Sequence, residues 1–534
     1  MDGPTRAPVA HPELLGRLRD DLASARFTVA RLDELLGTQA SAALTRGHRV
    51  PARRTLDLVV EFDPAAVLAR LFVLGVSAAI ADVALALPAL ELEGAVALGL
   101  VRVGDTDCQP LVDLRPYSFT DNRGAAEWWI ASDLGELVLG GPLPEDHVLG
   151  VGGASLMLAA LQLARASGLT LDLGTGCGIQ AMHASRFSDR VIATDISQRA
   201  LDYASFNAAL NGIRNIDFRS GSMFEPVEGQ RFDLIVTNPP FVITPRRQGV
   251  PSYEYRDAGR VGDAIVAEVI AGAATHLRPG GVAQLLGNWE YRADEDGLDR
   301  IGGWIDAAGL DGWVVERELQ DAALYAQTWI RDGGTRAGAE SDRLEDAWLD
   351  DFEARGVTGV GFGYVVLRAP FDRLRDRGEL EDRGELGDRG ELRDRPTRLR
   401  RLERLDGPVA TGLGAHLAAT LDAYDWQASL DDDELARTML VVAPDVTEER
   451  HYWPGDEHPA VMNLLQGGGF ARSYPLDTAL AAVVGACDGE LSVGAICAAV
   501  SELLEVDEGE LRADVLPTIR EFVTVGILGR AEGA

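Results

Sequence analysis

The sequence predicts an α/β fold, a doubly wound Rossmann-like sheet at the centre of the chain flanked by mainly helical, winged-helix-like domains. Two observations carry that expectation. Between Thr170 and Gly287 apolar runs of strand length alternate with stretches of helical periodicity. At the head of this alternation, Leu171-Asp-Leu-Gly-Thr-Gly-Cys-Gly178 describes a strand that turns tightly into a helix. With 534 residues, 46% hydrophobic and 25% charged, the chain has the composition of a globular protein and room for about three domains. The division expected is a helical N-terminal domain with a hairpin at 1–149, the α/β domain at 150–370, a charged linker at 371–404 and a helical C-terminal domain at 405–534.

Along the first segment, Leu14, Leu15, Leu18 and Leu22, then Val29, Leu32, Leu35 and Leu36, recur at helical spacing, with Thr28 placed to cap the second helix. Arg46, Arg49, Arg53 and Arg54 form a local positive excess, and Thr55–Val60 alternates as a strand. Helices, basic loop and strand are compatible with a winged helix that touches nucleic-acid phosphates, but a solvated surface loop is the favoured reading, since charge runs are commonly just surface. Asp63 opens a helical run toward Leu87, and Val96–Val103 with Pro110–Leu114 form a hairpin around Gly104-Asp-Thr-Asp107. Tyr117–Trp129 fits either a lid or core packing by Trp128 and Trp129. The glycine-rich stretch from His147 to Ser155 leads into a helix over Leu156–Ala166.

In the centre the expected strands are Thr170–Leu173, Val191–Thr194, Ile216–Arg219, Leu234–Thr237 and Gly281–Gly287. The helices between them are Ile179–Arg186, Gln198–Asn211 and Asp263–His276, followed by a helix over Asp296–Ala308 and strands near Trp313–Glu316 and Gly363–Leu367. Between Phe371 and Arg404 the hexad Asp-Arg-Gly-Glu-Leu-x repeats at Asp376, Asp382 and Asp388, too poor in large apolar groups to build a core, so a flexible linker is expected. The last segment ends in a helix over Leu476–Ala486, a Ser492-capped helix to Leu504, a helix over Glu510–Val525 and a short strand at Gly526-Ile-Leu528, again in the manner of a winged helix.

The formal charge of −34 disfavours unassisted binding to polyanions. All 50 basic residues are Arg, which excludes any lysine-based chemistry. Cys108, Cys177, Cys487 and Cys497 lack ligand spacing, so neither a disulfide framework nor a metal site is expected, and a reduced cytoplasmic setting fits. The polar opening of the chain carries no signal-peptide core, and the apolar stretch Val67–Leu90 is broken by Arg70, Asp82 and Pro88, so no membrane association is expected.

The chemistry is concentrated in two motifs. Gly174, Gly176 and Gly178 remove the Cβ atoms that would keep backbone N–H groups from a ligand, and Asp172 offers a carboxylate to a cationic or hydroxylated one, the signature of a nucleotide-cofactor site. Downstream, Leu234-Ile-Val-Thr-Asn-Pro-Pro-Phe241 is an apolar strand ending in Asn-Pro-Pro-aromatic. In this order the two motifs resemble the class I S-adenosylmethionine (SAM) methyltransferases that act on planar nitrogens: protein-glutamine, rRNA guanine-N2 and adenine-N6 enzymes. The resemblance covers roughly residues 150–370.

It implies SAM as cofactor, with Asp172 and the backbone of Gly174, Thr175, Gly176, Cys177 and Gly178 at its methionine end, and Gly152–Ser155 beside them. Asp195, followed by Ile196, would accept hydrogen bonds from the ribose hydroxyls. Ser222 and Met223 would lie at the adenine, where relatives commonly carry an acid. Asn238 and the Pro239 carbonyl would accept the two N–H bonds of the methyl acceptor, Phe241 would give it a stacking surface, and Pro239 and Pro240 would stiffen the loop without N–H groups of their own. The loop Val242–Gly262, with Arg246, Arg247, Tyr253, Tyr255 and Arg256, would lie over the substrate. The partner implied is a macromolecule, protein or RNA; a small-molecule methyltransferase and a silent SAM-binding scaffold are the alternatives, and the sequence leaves the oligomeric state open.

Overall fold

A computed structural model describes residues 6–139, 143–247, 249–250, 254–257, 259–370, 398–405, 407 and 412–531. The described residues fall into two compact units: everything up to Ala159 together with 166–370 and Arg401–Arg404, and a second built from Ala160–Arg165, 398–400 and the residues from Leu405 onward.

The first unit opens with helices α1 (Pro12–Ser24), α2 (Val29–Thr45) and α3 (Arg49–Asp57). Thr28 caps α2 by accepting from Arg31 N, as its position predicts. The strand expected at Thr55–Val60 is absent: Ala52 and Leu56, four residues apart, are buried on one face of α3, while Leu58 is 78% exposed past its end. The winged-helix order appears further along. Helix α4 (Pro64–Leu68), capped by Asp63, continues as a π turn, and is followed by β1 (Ala78–Ala79), α5 (Ile80–Ala86), α6 (Glu91–Ala97), β2 (Val101–Val103) and β3 (Asp107–Pro110). The last strand takes the middle place, in the order β1-β3-β2.

The stretch considered as a lid is a hairpin, β4 (Asp113–Asp121) with β5 (Gly124–Ser132), in which Trp128 is buried and Trp129 donates from its ring to Phe27 O. Helices α7 (Glu136–Leu139) and α8 (Gly153–Leu161) lead to the main sheet. There β6 (Ser167–Leu173), α9 (Ile179–Ser185), β7 (Ser188–Asp195), α10 (Gln198–Leu210), β8 (Ile216–Ser220) and β9 (Phe232–Thr237) alternate, and after α11 (Glu254–Asp257) come α12 (Ala264–His276), β10 (Leu277–Arg292), α13 (Gly297–Ala308) and β11 (Asp311–Asp321). Two helices that the sequence reading did not foresee, α14 (Ala322–Asp332) and α15 (Ala339–Ala354), separate β11 from β12 (Val357–Arg368).

The eight strands are ordered β13-β11-β12-β10-β9-β6-β7-β8. Strands β6 to β10 pair in parallel, and β12 runs antiparallel between β10 and β11. Strand β13 is Arg400–Arg404, which moves the end of the expected linker back to before Arg400; the hexads at 376–393 lie outside the described residues.

In the second unit, α16 (Leu413–Ala428) and α17 (Asp432–Ala436) precede β14 (Met439–Val442) and a meander of β15 (Val446–His451), β16 (Val461–Gln466) and β17 (Ser473–Leu476). Then follow α18 (Thr478–Gly485), β18 (Asp488–Ser492), α19 (Val493–Leu504, capped by Ser492), α20 (Glu508–Thr524) and β19 (Leu528–Arg530). The sheet order β18-β14-β19 again puts one strand between two that frame a helix pair, but here the middle strand comes from earlier in the chain. Among the described residues no helix is long and apolar enough to cross a membrane.

Candidate active site

Both motifs sit at the C-terminal edge of the parallel strands, where open α/β sheets hold ligands. Register brings them together: Asp172 on β6 pairs with Val236 on β9, and Thr237 Oγ1 donates to Leu173 O at 2.7 Å, so Asn238 leaves the sheet beside the glycine turn.

Asp172 is fully buried. Its Oδ2 accepts from Thr175 Oγ1 at 2.6 Å and from Ala181 N at 2.8 Å, tying the strand end to the turn and to α9. Its Oδ1 is buried with no hydrogen-bond partner. Burial, offset in part by the two bonds on Oδ2, pushes the carboxyl up to about 7. Such an oxygen is costly unless a ligand donor or cation satisfies it.

The three glycines have φ of +73°, +55° and +89°, the left-handed region. A Cβ on Gly174 or Gly176 would meet nothing within 4 Å, so these two border open space. On Gly178 it would lie 2.9 Å from Ala204 Cβ, so that glycine serves the approach of α10 to the turn. Cys177 is buried with its thiol pushed up to about 11, which makes it a packing residue and no nucleophile.

Asp195 ends β7. Its Oδ2 accepts from Gly176 N and its Oδ1 from Ser197 N, both at 2.9 Å, and each oxygen keeps a lone pair for a further donor. Burial raises its pKa as well. Ile196 is 65% exposed next to it, an apolar face a planar ligand would cover. The turn after β8 is drawn to the same place by Gly221 N donating to Asp195 O at 3.0 Å, and Met223 sits there with φ of +48°. Neither Ser222 nor Met223 is an acid, but Glu225, three residues after Ser222, brings a carboxylate to this turn: its Oε2 accepts from Ser222 N at 3.4 Å. Ser155 O accepts from Gln180 Nε2 at 2.8 Å, which anchors the Gly152–Ser155 stretch to α9. An orphaned buried carboxylate oxygen, two glycines bordering space, a second carboxylate and an exposed aliphatic side chain together fit a cationic nucleoside such as SAM.

On the acceptor side, Asn238 Oδ1 is buried without a hydrogen-bond partner. Phe241 is covered rather than open, its ring centroid 5.6 Å from that of Phe362 on β12. The arginines expected to face substrate are engaged within the protein. Arg246 bonds Asp257 Oδ1 and the carbonyls of Asp257 and Arg260; Arg247 pairs with Asp350; Arg256 is buried, stacked over Trp329 and bonded to its carbonyl. Tyr253 and the side chain of Tyr255 lie outside the described residues. No group of three or more His, Cys, Asp or Glu among the described residues is placed to hold a metal ion.

Residues 151–300 match the family model described as the methyltransferase small domain, and 24–111 and 418–530 each match a model described as a domain of unknown function. Release factor glutamine methyltransferase of Xylella fastidiosa is 40% identical over 147 residues, 26% of this chain and 54% of that protein. Ribosomal protein uL3 glutamine methyltransferase of Bradyrhizobium diazoefficiens is 31% identical over 163 residues, 28% of this chain and 51% of that protein. Ribosomal RNA small subunit methyltransferase C of Alcanivorax borkumensis is 34% identical over 140 residues, 26% of this chain and 38% of that protein. The chain thus spans about half, or less, of the length of the curated relatives it matches. The glycine turn and the Asn-Pro-Pro-Phe loop both lie inside the matched residues, and the central segment of this chain resembles the methyltransferase small domain in sequence.

Proposed function

We propose that the protein is a SAM-dependent N-methyltransferase acting on a planar nitrogen of a macromolecule. The observation that carries the reading is the buried, unpartnered Asn238 Oδ1 beside the glycine turn. When bound, SAM supplies an electrophilic methyl group on a sulfonium centre. Asp172 and the open side of Gly174 and Gly176 hold its amino-acid end, Asp195 its ribose, and Ile196 with Met223 the adenine faces. Asn238 Oδ1 and the Pro239 carbonyl accept the N–H bonds of an amide or exocyclic amine, an interaction that strengthens as the nitrogen lone pair is freed to attack.

A protein glutamine amide is favoured over an RNA base. Of the arginines after the Asn-Pro-Pro-Phe loop, Arg246 is paired with Asp257 and Arg247 with Asp350, and the winged-helix element presents Glu91 and Glu93 on α6, the wrong sign for phosphate. The test is incubation of the full chain with methyl-tritiated SAM and either purified release factor or small-subunit ribosomal RNA. Label in the protein acceptor is expected. Label in the RNA alone would replace the glutamine reading, and label in neither would remove the transferase reading for these acceptors.

A further inference from the structure

Strand β11 is parallel to β10, because each lies antiparallel to β12, so its end points to the same sheet edge as Asn238. Helices α14 and α15 follow directly from that end, which sets them beside the acceptor loop. Tyr325, in the first turns of α14, is buried, with its ring about 6.0 Å from those of Trp329, Trp348 and Phe352. Its hydroxyl accepts from Ile243 N at 3.0 Å and from Asn288 Nδ2 at 2.5 Å. Asn288, on β10, pairs in register with Phe362, the residue that covers Phe241.

Asn238 Oδ1 has no hydrogen-bond partner, so the side chain gains no direction from that oxygen. Its aim depends on the backbone that follows, which is fastened by the Phe241 ring, by Val242 N donating to Arg256 O at 2.9 Å, and by Ile243 N on Tyr325. We propose that Tyr325 is a positioning residue for methyl transfer: its hydroxyl pins the acceptor loop to β10 through Asn288 and so fixes where Asn238 Oδ1 meets the acceptor nitrogen. The inference rests on the assignment of Asn238 in the proposed function. Its chemical logic is preorganisation, since displacement of a reacting group by about 1 Å costs on the order of a hundredfold in rate.

Tyr325→Phe keeps the ring and deletes the acceptor for both donors. The expected result is SAM affinity within about twofold of wild type, faster hydrogen exchange in residues 238–247, and kcat on the labelled acceptor lower by roughly ten- to a hundredfold with a smaller change in KM. Trp348→Phe disturbs the same aromatic cluster without touching the hydroxyl, and is expected to leave kcat and the exchange of 238–247 near wild type. Equal losses in the two variants would make the effect one of packing and overturn the proposal. Unchanged exchange of 238–247 in Tyr325→Phe overturns it without any acceptor, so this outcome is distinguishable from a wild-type protein that labels neither release factor nor RNA, which is a failure of the proposed function itself.

Discussion

Asn207 Nδ2 donates to the carbonyl of Cys177 at 2.9 Å, so a fully buried amide on α10 holds the glycine turn in place from beneath. The same side chain takes both backbone groups of Ala131 on β5, accepting from its N at 2.8 Å and donating to its O at 2.9 Å. Asn207→Ala would strand three buried backbone groups, each worth about 1–3 kcal/mol when unsatisfied, so a loss of roughly 3 kcal/mol or more is expected in denaturant unfolding. SAM affinity should fall with it, because the turn is no longer fixed. A variant as stable as wild type would mean that these groups find other partners.

Asp195→Ala is expected to weaken SAM binding by about 1.5–3 kcal/mol, the range for hydrogen bonds to a charged acceptor. Calorimetry measures this directly. The substitution also releases Gly176 N and Ser197 N, which Asp195 holds, and Asp195→Asn would turn an NH2 toward one of those two donors, so the loss in either variant includes loosening of the turn as well as the ribose contact. Full affinity in both variants would remove Asp195 from the site.

The Asp172 carboxyl, raised to about 7 by burial, makes binding of a cationic ligand pH-dependent. A bound cation favours the ionised form, so below about pH 7 binding must expel a proton, and affinity should rise about tenfold per pH unit before levelling above it. Asp172→Asn should flatten that dependence. Stability follows the opposite sign: a carboxyl whose folded pKa lies above its unfolded value binds its proton more tightly when folded, so its contribution is lost as pH rises from about 4 through 7. The ligand-free asparagine variant should therefore gain on wild type at pH 8 relative to pH 5 in thermal unfolding.

Asn238→Ala should leave SAM affinity unchanged while lowering turnover by about 10²–10³, comparable to loss of one oxyanion-hole donor. Asn238→Asp keeps an acceptor of nearly the same shape and should retain more activity than the alanine variant. Wild-type turnover in Asn238→Ala would reduce Asn238 to a turn residue.

The central sheet was legible because its strands and helices alternate with opposite periodicities and because the glycines at 174, 176 and 178 punctuate the first crossover. Both motifs were legible for the same reason: each requires residue types whose backbone properties are local. What escaped depends on tertiary contacts. Thr55–Val60 alternates like a strand, yet the burial of Ala52 and Leu56 on one face draws its first residues into α3. Helix α14 had a visible signal in Asp321, which accepts from Leu324 N, and α15 in Leu344, Trp348 and Phe352 at four-residue spacing. The loop arginines looked available only because Asp257 is close in sequence but its geometry was unknown, and Asp350 is about a hundred residues away. Asn207 and Tyr325 carry no motif at all, since their importance lies in which backbone groups reach them.

Strand β13 reaches the outer edge of the sheet after the hexad stretch, and is fastened there by Trp313 donating to Glu403 at 2.6 Å and by Arg404 bound to Asp296 and Glu316. It therefore shields the backbone of β11, an eleven-residue strand whose first six residues are buried. A shortened protein ending at Pro370, the boundary that domain counting suggests, would bare that ladder and offer a template for chain-to-chain pairing. Fragments for expression are better designed to include Arg404 than to stop where the repetitive stretch begins, since aggregation of the shorter piece would say nothing about whether the methyltransferase-like core can fold.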